Sequence, residues 1–132
     1  MLKITRKVEY ALIALRHMQQ SPNNSVSSAS QIASQYGIPQ HLLAKTLQQM
    51  ARDGLIQAVK GPAGGYKIKA DLKKISLKDF FEKLEGPLGL MDCYFNTDCL
   101  QMKACNILSP IQKINQNMRE MFSKTTLLEI TQ

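Results

Sequence analysis

The strongest constraint in this chain is the segment GPAGG at residues 61–65. Three glycines and a proline within five residues continue neither a helix nor a strand, so the chain must turn there. On either side lie LIQAVK (55–60) and YKIKA (66–70), which alternate and carry strand-forming residues. This pattern predicts a β-hairpin with Lys60 and Lys67 flanking its tip.

The residues before the hairpin read as three helices. Over 5–20, Val8, Ala11, Leu12, Leu15 and Met18 form one apolar stripe at helical spacing, with Thr5 as N-cap. SPNNSVSS (21–28) is a loop by composition. A second helix is expected over 29–36, opened by a Ser28–Gln31 capping box and closed by Gly37. A third is expected from Pro39 to Arg52, with Leu42, Leu43, Leu47 and Met50 as its buried side and Asp53-Gly54 as its stop. Two helices joined by a glycine turn make a helix-turn-helix, and a basic hairpin directly after it makes a winged helix.

After the hairpin, SLKDFFEKLE (76–85) predicts a helix capped by Ser76 that buries Phe80, Phe81 and Leu84. A polar, cysteine-bearing loop spans about 91–106, and a last helix of about 107–123 is expected to open near Ser109-Pro110, with Gln112 completing a capping box. Ile107, Ile111, Ile114, Met118 and Met121 recur every 3.5 residues on average, the coiled-coil period. This predicts a dimerisation helix. The expected fold is mainly α with a small β-hairpin wing, organised as a DNA-binding unit (1–85) followed by the cysteine loop and dimerisation helix (86–132).

Charge supports a polyanionic partner. Residues 1–70 hold nine Lys/Arg and two acids, which accounts for the whole net charge of +7. Base edges are read from the first turns of a recognition helix, where Gln40, His41, Ala44, Lys45 and Gln48 face outward. Thr5, Arg6 and Lys7 open the first helix and suit phosphate. With Lys60, Lys67 and the tip glycines Gly64 and Gly65, they make up the expected DNA-binding residues, and a dimer implies a roughly palindromic operator. No apolar run approaches the ~18 residues of a membrane span, and Glu9 and Arg16 break up the N-terminal apolar pattern that an export signal needs, so a cytoplasmic regulator is expected. The chain lacks a phosphate loop and has two isolated histidines, His17 and His41, which argues against an enzyme.

Cys93, Cys99 and Cys105 are spaced C-x5-C-x5-C in a polar loop with Asp92, Asn96, Thr97 and Asp98. Three thiolates so placed suit zinc or an iron–sulfur cluster; left free, they would form a redox switch.

These features together resemble the Rrf-type winged-helix regulators of bacteria. The resemblance covers nearly the whole chain and rests on LKITRKVEYALIAL at the start, KGPAGGYKI at the wing, SLKDFFEKLEGP after it, and the three cysteines. It implies a transcription regulator, most often a repressor, whose cysteines hold a 2Fe–2S or 4Fe–4S cluster that senses nitric oxide, redox state or iron–sulfur supply. IscR-like members place a histidine three residues after the last cysteine, where this chain has Leu108. NsrR-like members use a carboxylate of the partner's first helix, and Glu9 matches that position. The resemblance also implies that a basic wing residue, here Lys60, enters the minor groove. A regulator of the same family that responds to a metabolite or to thiol oxidation is the alternative. A cluster carrier is disfavoured by the wing and the one-sided charge.

Overall fold

The structure, a computed structural model, describes residues 4–90 and 99–132. The chain begins with α1 (Arg6–Gln20), α2 (Ala29–Tyr36) and α3 (Gln40–Arg52). Their boundaries follow the local chemistry. Thr5 caps α1 by accepting the Val8 N–H. Ser28 and Gln31 close a reciprocal capping box at α2. Gly37 ends α2 at φ 66°, a left-handed conformation open to glycine at little cost. Pro39 sits just ahead of α3 and brings no N–H that would need a partner.

β1 (Ile56–Val59) and β2 (Gly65–Ile68) pair antiparallel, with Ile56 opposite Ile68 and Val59 opposite Gly65. This is the wing: β1 is one residue shorter at each end than the alternation suggested, while β2 begins one residue earlier, at Gly65, and ends two earlier, at Ile68. A third contact anchors it. Ser27 and Tyr66 exchange both backbone hydrogen bonds, at 2.9 and 2.8 Å, which ties β2 to the entry of α2. Gly65 allows this approach, because a Cβ there would collide with the backbone carbonyl of Ser27.

Beyond a short 3-10 turn (Leu72–Lys74) come α4 (Leu77–Glu85), α5 (Leu108–Lys124) and α6 (Leu127–Thr131). Val8, Ala11, Leu15 and Met18 of α1, Ile32 of α2, Leu43, Leu47 and Met50 of α3, and Phe80, Phe81 and Leu84 of α4 form one core with Leu55, Ile56 and Leu127. The mainly helical winged fold is therefore as expected. Within α3, however, Leu42 is not part of the buried side: it is 42% exposed, because it lies a quarter-turn round the helix from Leu43.

The C-terminal region differs from expectation in two respects. α5 opens at Leu108 after Ile107, with no side-chain cap, so the Ser109–Gln112 capping box does not form. Proline follows directly at 110, where a missing N–H is harmless in a first turn. Beyond α5 lies α6, which the apolar periodicity did not predict. Thr126 and Glu129 form its capping box, and Leu127 is fully buried in the main core. The Leu77 N–H donates to the Thr125 carbonyl and the Leu127 N–H to the Ile75 carbonyl, both at 2.8 Å, joining the end of the chain to the start of α4.

α5 has two different faces. Inward, Phe122 meets Phe81 edge-on at 5.5 Å. Arg119 donates to Glu82 at 2.8 Å and to the Leu88 carbonyl at 3.0 Å. Asn115, 2% exposed, accepts the Leu90 N–H. Outward, Ile107, Ile114 and Met121 recur every seven residues and are each about half exposed.

Candidate nucleic-acid interface and cysteine site

α1 and α3 pack so that the first turns of α1 run beside the exposed side of α3. Between them lies a groove of about 480 Å³ lined by Arg6, Lys7, Tyr10, Leu42, Lys45, Thr46, Gln48, Gln49 and Arg52. Four of the lining residues are cations and none is an acid. Field lines from four like charges along one concave wall favour a polyanion at that surface.

The groove brings together Arg6, Lys7, Lys45 and Gln48, four of the residues expected from sequence to meet DNA. Their hydrogen bonds differ. Arg6 pairs with Glu9 at 2.9 Å across one turn of α1. The Lys7 ammonium donates to the Leu84 carbonyl at 3.0 Å and so satisfies the end of α4. Thr5, while capping α1, donates its hydroxyl proton to Glu85 at 2.8 Å. Gln40 and His41 are exposed at the start of α3.

The wing residues sit apart from this groove. Lys60 follows β1 and is exposed, and Lys67 is half-buried opposite Gln57. Gly64 donates its N–H to the Gly61 carbonyl at 2.9 Å and tightens the tip. Gly64 and Gly65 thus have conformational roles inside the wing itself. A Cβ on Gly64 would strike the carbonyl of Val59, just as one on Gly65 would strike Ser27.

Tyr10, Leu42, Thr46, Gln49 and Arg52 also line the groove but are not among the residues expected from sequence to meet DNA. Arg52 was legible: positions 41, 45, 48 and 52 follow helical spacing and share one face. The others are set by how α1 crosses α3, which sequence spacing does not specify.

The cysteine site is a separate pocket of about 380 Å³ where the loop meets α5. Cys99, Gln101, Met102, Ala104, Cys105, Asn106, Ile107 and Leu108 line it. Both cysteines are free, and the Cys99 thiol donates to the Gln101 side-chain carbonyl at 3.3 Å. Cys93 lies outside the described residues. Leu108, at the position where the resemblance to IscR-like regulators implies a histidine, lines this pocket but offers no ligand atom. Within one protomer Glu9 turns to Arg6 and does not line it. His17 is engaged elsewhere, its Nδ1 2.9 Å from the Tyr36 hydroxyl. Among the described residues no group of three His, Cys, Asp or Glu side chains is placed to hold a metal ion; this pocket offers the two thiols of Cys99 and Cys105, a ligand type that suits thiophilic metals. Among the described residues no helix is long and apolar enough to cross a membrane.

A helix-turn-helix, an anchored two-stranded wing and an acid-free basic groove define a winged-helix DNA-binding protein. The chain belongs to the Rrf2 family, described as iron-dependent transcriptional regulators, which it matches over residues 4–132. Solved structures with the same fold include CymR, the global cysteine regulator of B. subtilis, at 24% identity and TM-score 0.77, covering 99% of this chain and 97% of that one. IscR of T. potens is 24% identical at TM-score 0.71, with 98% and 85% covered. CymR of Staphylococcus aureus is 22% identical at TM-score 0.69, with 93% of each covered.

Proposed function

We propose that this Rrf2-family regulator works as a homodimeric repressor on a roughly palindromic operator, and that it senses nitric oxide, redox state or iron–sulfur supply through a cluster. Cys93, Cys99 and Cys105 would hold the cluster, with Glu9 of the partner subunit as fourth ligand. The observation that carries the reading is that Cys99 and Cys105 line one pocket beside α5. When bound, the cluster would supply an iron site open to exchange at its oxygen ligand, since carboxylate on iron is more labile than thiolate. The half-exposed stripe of Ile107, Ile114 and Met121 supports a dimer through α5.

The chain's own contacts supply the coupling. α5 is fastened to α4 through Phe122–Phe81 and Arg119–Glu82, and to the core through Leu127 of α6. A change at the cysteine pocket that repositioned α5 would act on α4 and the core through these contacts, as coupling between two sites requires. In the same scheme Glu9 links the sites a second time. It lies on the helix that carries Arg6 and Lys7, and a partner's claim on Glu9 would release Arg6 toward phosphate.

The test is anaerobic purification followed by iron and sulfide analysis and operator binding of holo and apo protein side by side. A brown protein whose operator affinity differs between the two forms is expected. Glu9→Ala is expected to alter the cluster spectrum and the nitric-oxide response. An unchanged spectrum and response remove Glu9 from the ligand set.

A second reading has its own support. Cys99 is exposed, so direct thiol oxidation or thiol-metabolite sensing suits it, and the B. subtilis relative is itself a cysteine regulator. A colourless anaerobic protein with about zero iron per subunit, whose operator binding responds to thiol oxidants, supports this reading instead.

A further inference from the structure

Leu42 is the exception on the exposed side of α3. It sits in the first turn, 42% exposed, while the adjacent Leu43 is fully buried. Its neighbours along that side are Gln40, His41 and Lys45, all polar. Lys45 lies three residues on, so the two side chains stand next to one another. Leu42 also lines the groove shared by Arg6, Lys7, Lys45 and Arg52, which no acid lines.

An apolar side chain set among cations selects an unusual partner: one that is polyanionic and also offers apolar groups at the depth a helix reaches. B-form DNA meets both conditions. Its phosphates satisfy the cations, and the C5-methyl of thymine projects into the major groove, where a first-turn helix residue meets base edges. RNA is equally polyanionic but fails the second condition, since uracil lacks the methyl and its major groove excludes side chains.

We propose that Leu42 reads a thymine methyl in the operator, while Lys45 beside it bonds the neighbouring base or phosphate. This rests on the DNA-binding reading of the α1–α3 groove. It assigns to an apolar side chain part of the specificity otherwise expected of the polar residues Gln40, His41, Lys45 and Gln48.

The probe is the duplex that the full-length protein enriches from a randomised pool. Each thymine is replaced singly by deoxyuridine, which removes one methyl and keeps the base pair. For the wild type, one position in each half-site is expected to weaken binding about fourfold, the worth of one buried methyl. Leu42→Ala and Leu42→Gln are expected to weaken binding to the thymine duplex and to be indifferent to uracil at that position. Leu42→Met is expected to retain the methyl dependence. Because the position is exposed, the thermal midpoints of these variants are expected to match the wild type, and Leu42→Met separates loss of the contact from loss of fold. A wild type insensitive to every uracil, or alanine and glutamine variants that keep full methyl dependence, overturns the role of Leu42 alone. A pool that enriches no sequence overturns sequence-specific DNA reading, and the role of Leu42 with it.

Discussion

Replacing Gly65 by alanine tests how the wing is held to the helical head. A Cβ at this position would strike the carbonyl oxygen of Ser27 and lie 2.6 Å from its carbonyl carbon and 2.8 Å from the Ser28 nitrogen. All three are backbone atoms, so no rotamer relieves the contact, and β2 must separate from Ser27. That separation removes the two hydrogen bonds between Ser27 and Tyr66. At about 1 kcal/mol each, they amount to about 2 kcal/mol. Ser28, which caps α2, is shifted as well, and a disturbed cap adds about 1 kcal/mol. The lower entropy of the unfolded alanine chain offsets about 0.4–1 kcal/mol of this. The expected net loss is about 2 kcal/mol, or a fall of about 8 °C in thermal midpoint for a domain of this size. Urea unfolding followed by far-UV circular dichroism, at fixed protein concentration, reads the loss directly. Amide exchange at Ser27 and Tyr66 is expected to accelerate in parallel. A loss under about 0.5 kcal/mol with both amides still protected would refute the idea that this bridge anchors the wing.

Arg119→Ala is expected to cost about 1–3 kcal/mol in urea unfolding, because Glu82 and the Leu88 carbonyl both lose a donor at a largely shielded site. Arg6→Ala, which breaks an exposed pair, is expected to cost under about 0.5 kcal/mol in the same assay. Leu127→Ala empties a fully buried site shared by α6 and the head and is expected to lower stability by about 2–5 kcal/mol in thermal melts. For DNA, Lys60→Ala is expected to weaken binding on all sequences and flatten the salt dependence by about one unit of slope, whereas Gln40→Ala is expected to change sequence preference. An even loss on all DNA from both variants would show that the reading face is misassigned.

Local chemistry determined much of this protein from sequence alone. Caps at Thr5, Ser28 and Ser76, the left-handed Gly37 and the GPAGG turn depend on residues within a few positions of one another, so the string of residues specifies them. The basic half was legible for a similar reason, since charge adds along the chain whatever the fold. Tertiary structure decided what depends on how elements cross. It set Leu42, which lies a quarter-turn off the Leu43–Leu47–Met50 stripe, among the cations of the α1–α3 groove. It brought Leu127 back into the core on a five-residue helix too short to carry a periodic signal. It also spent the Lys7 ammonium on the end of α4, 77 residues away. Helical periodicity says that a side chain has a face, and only packing says what that face meets.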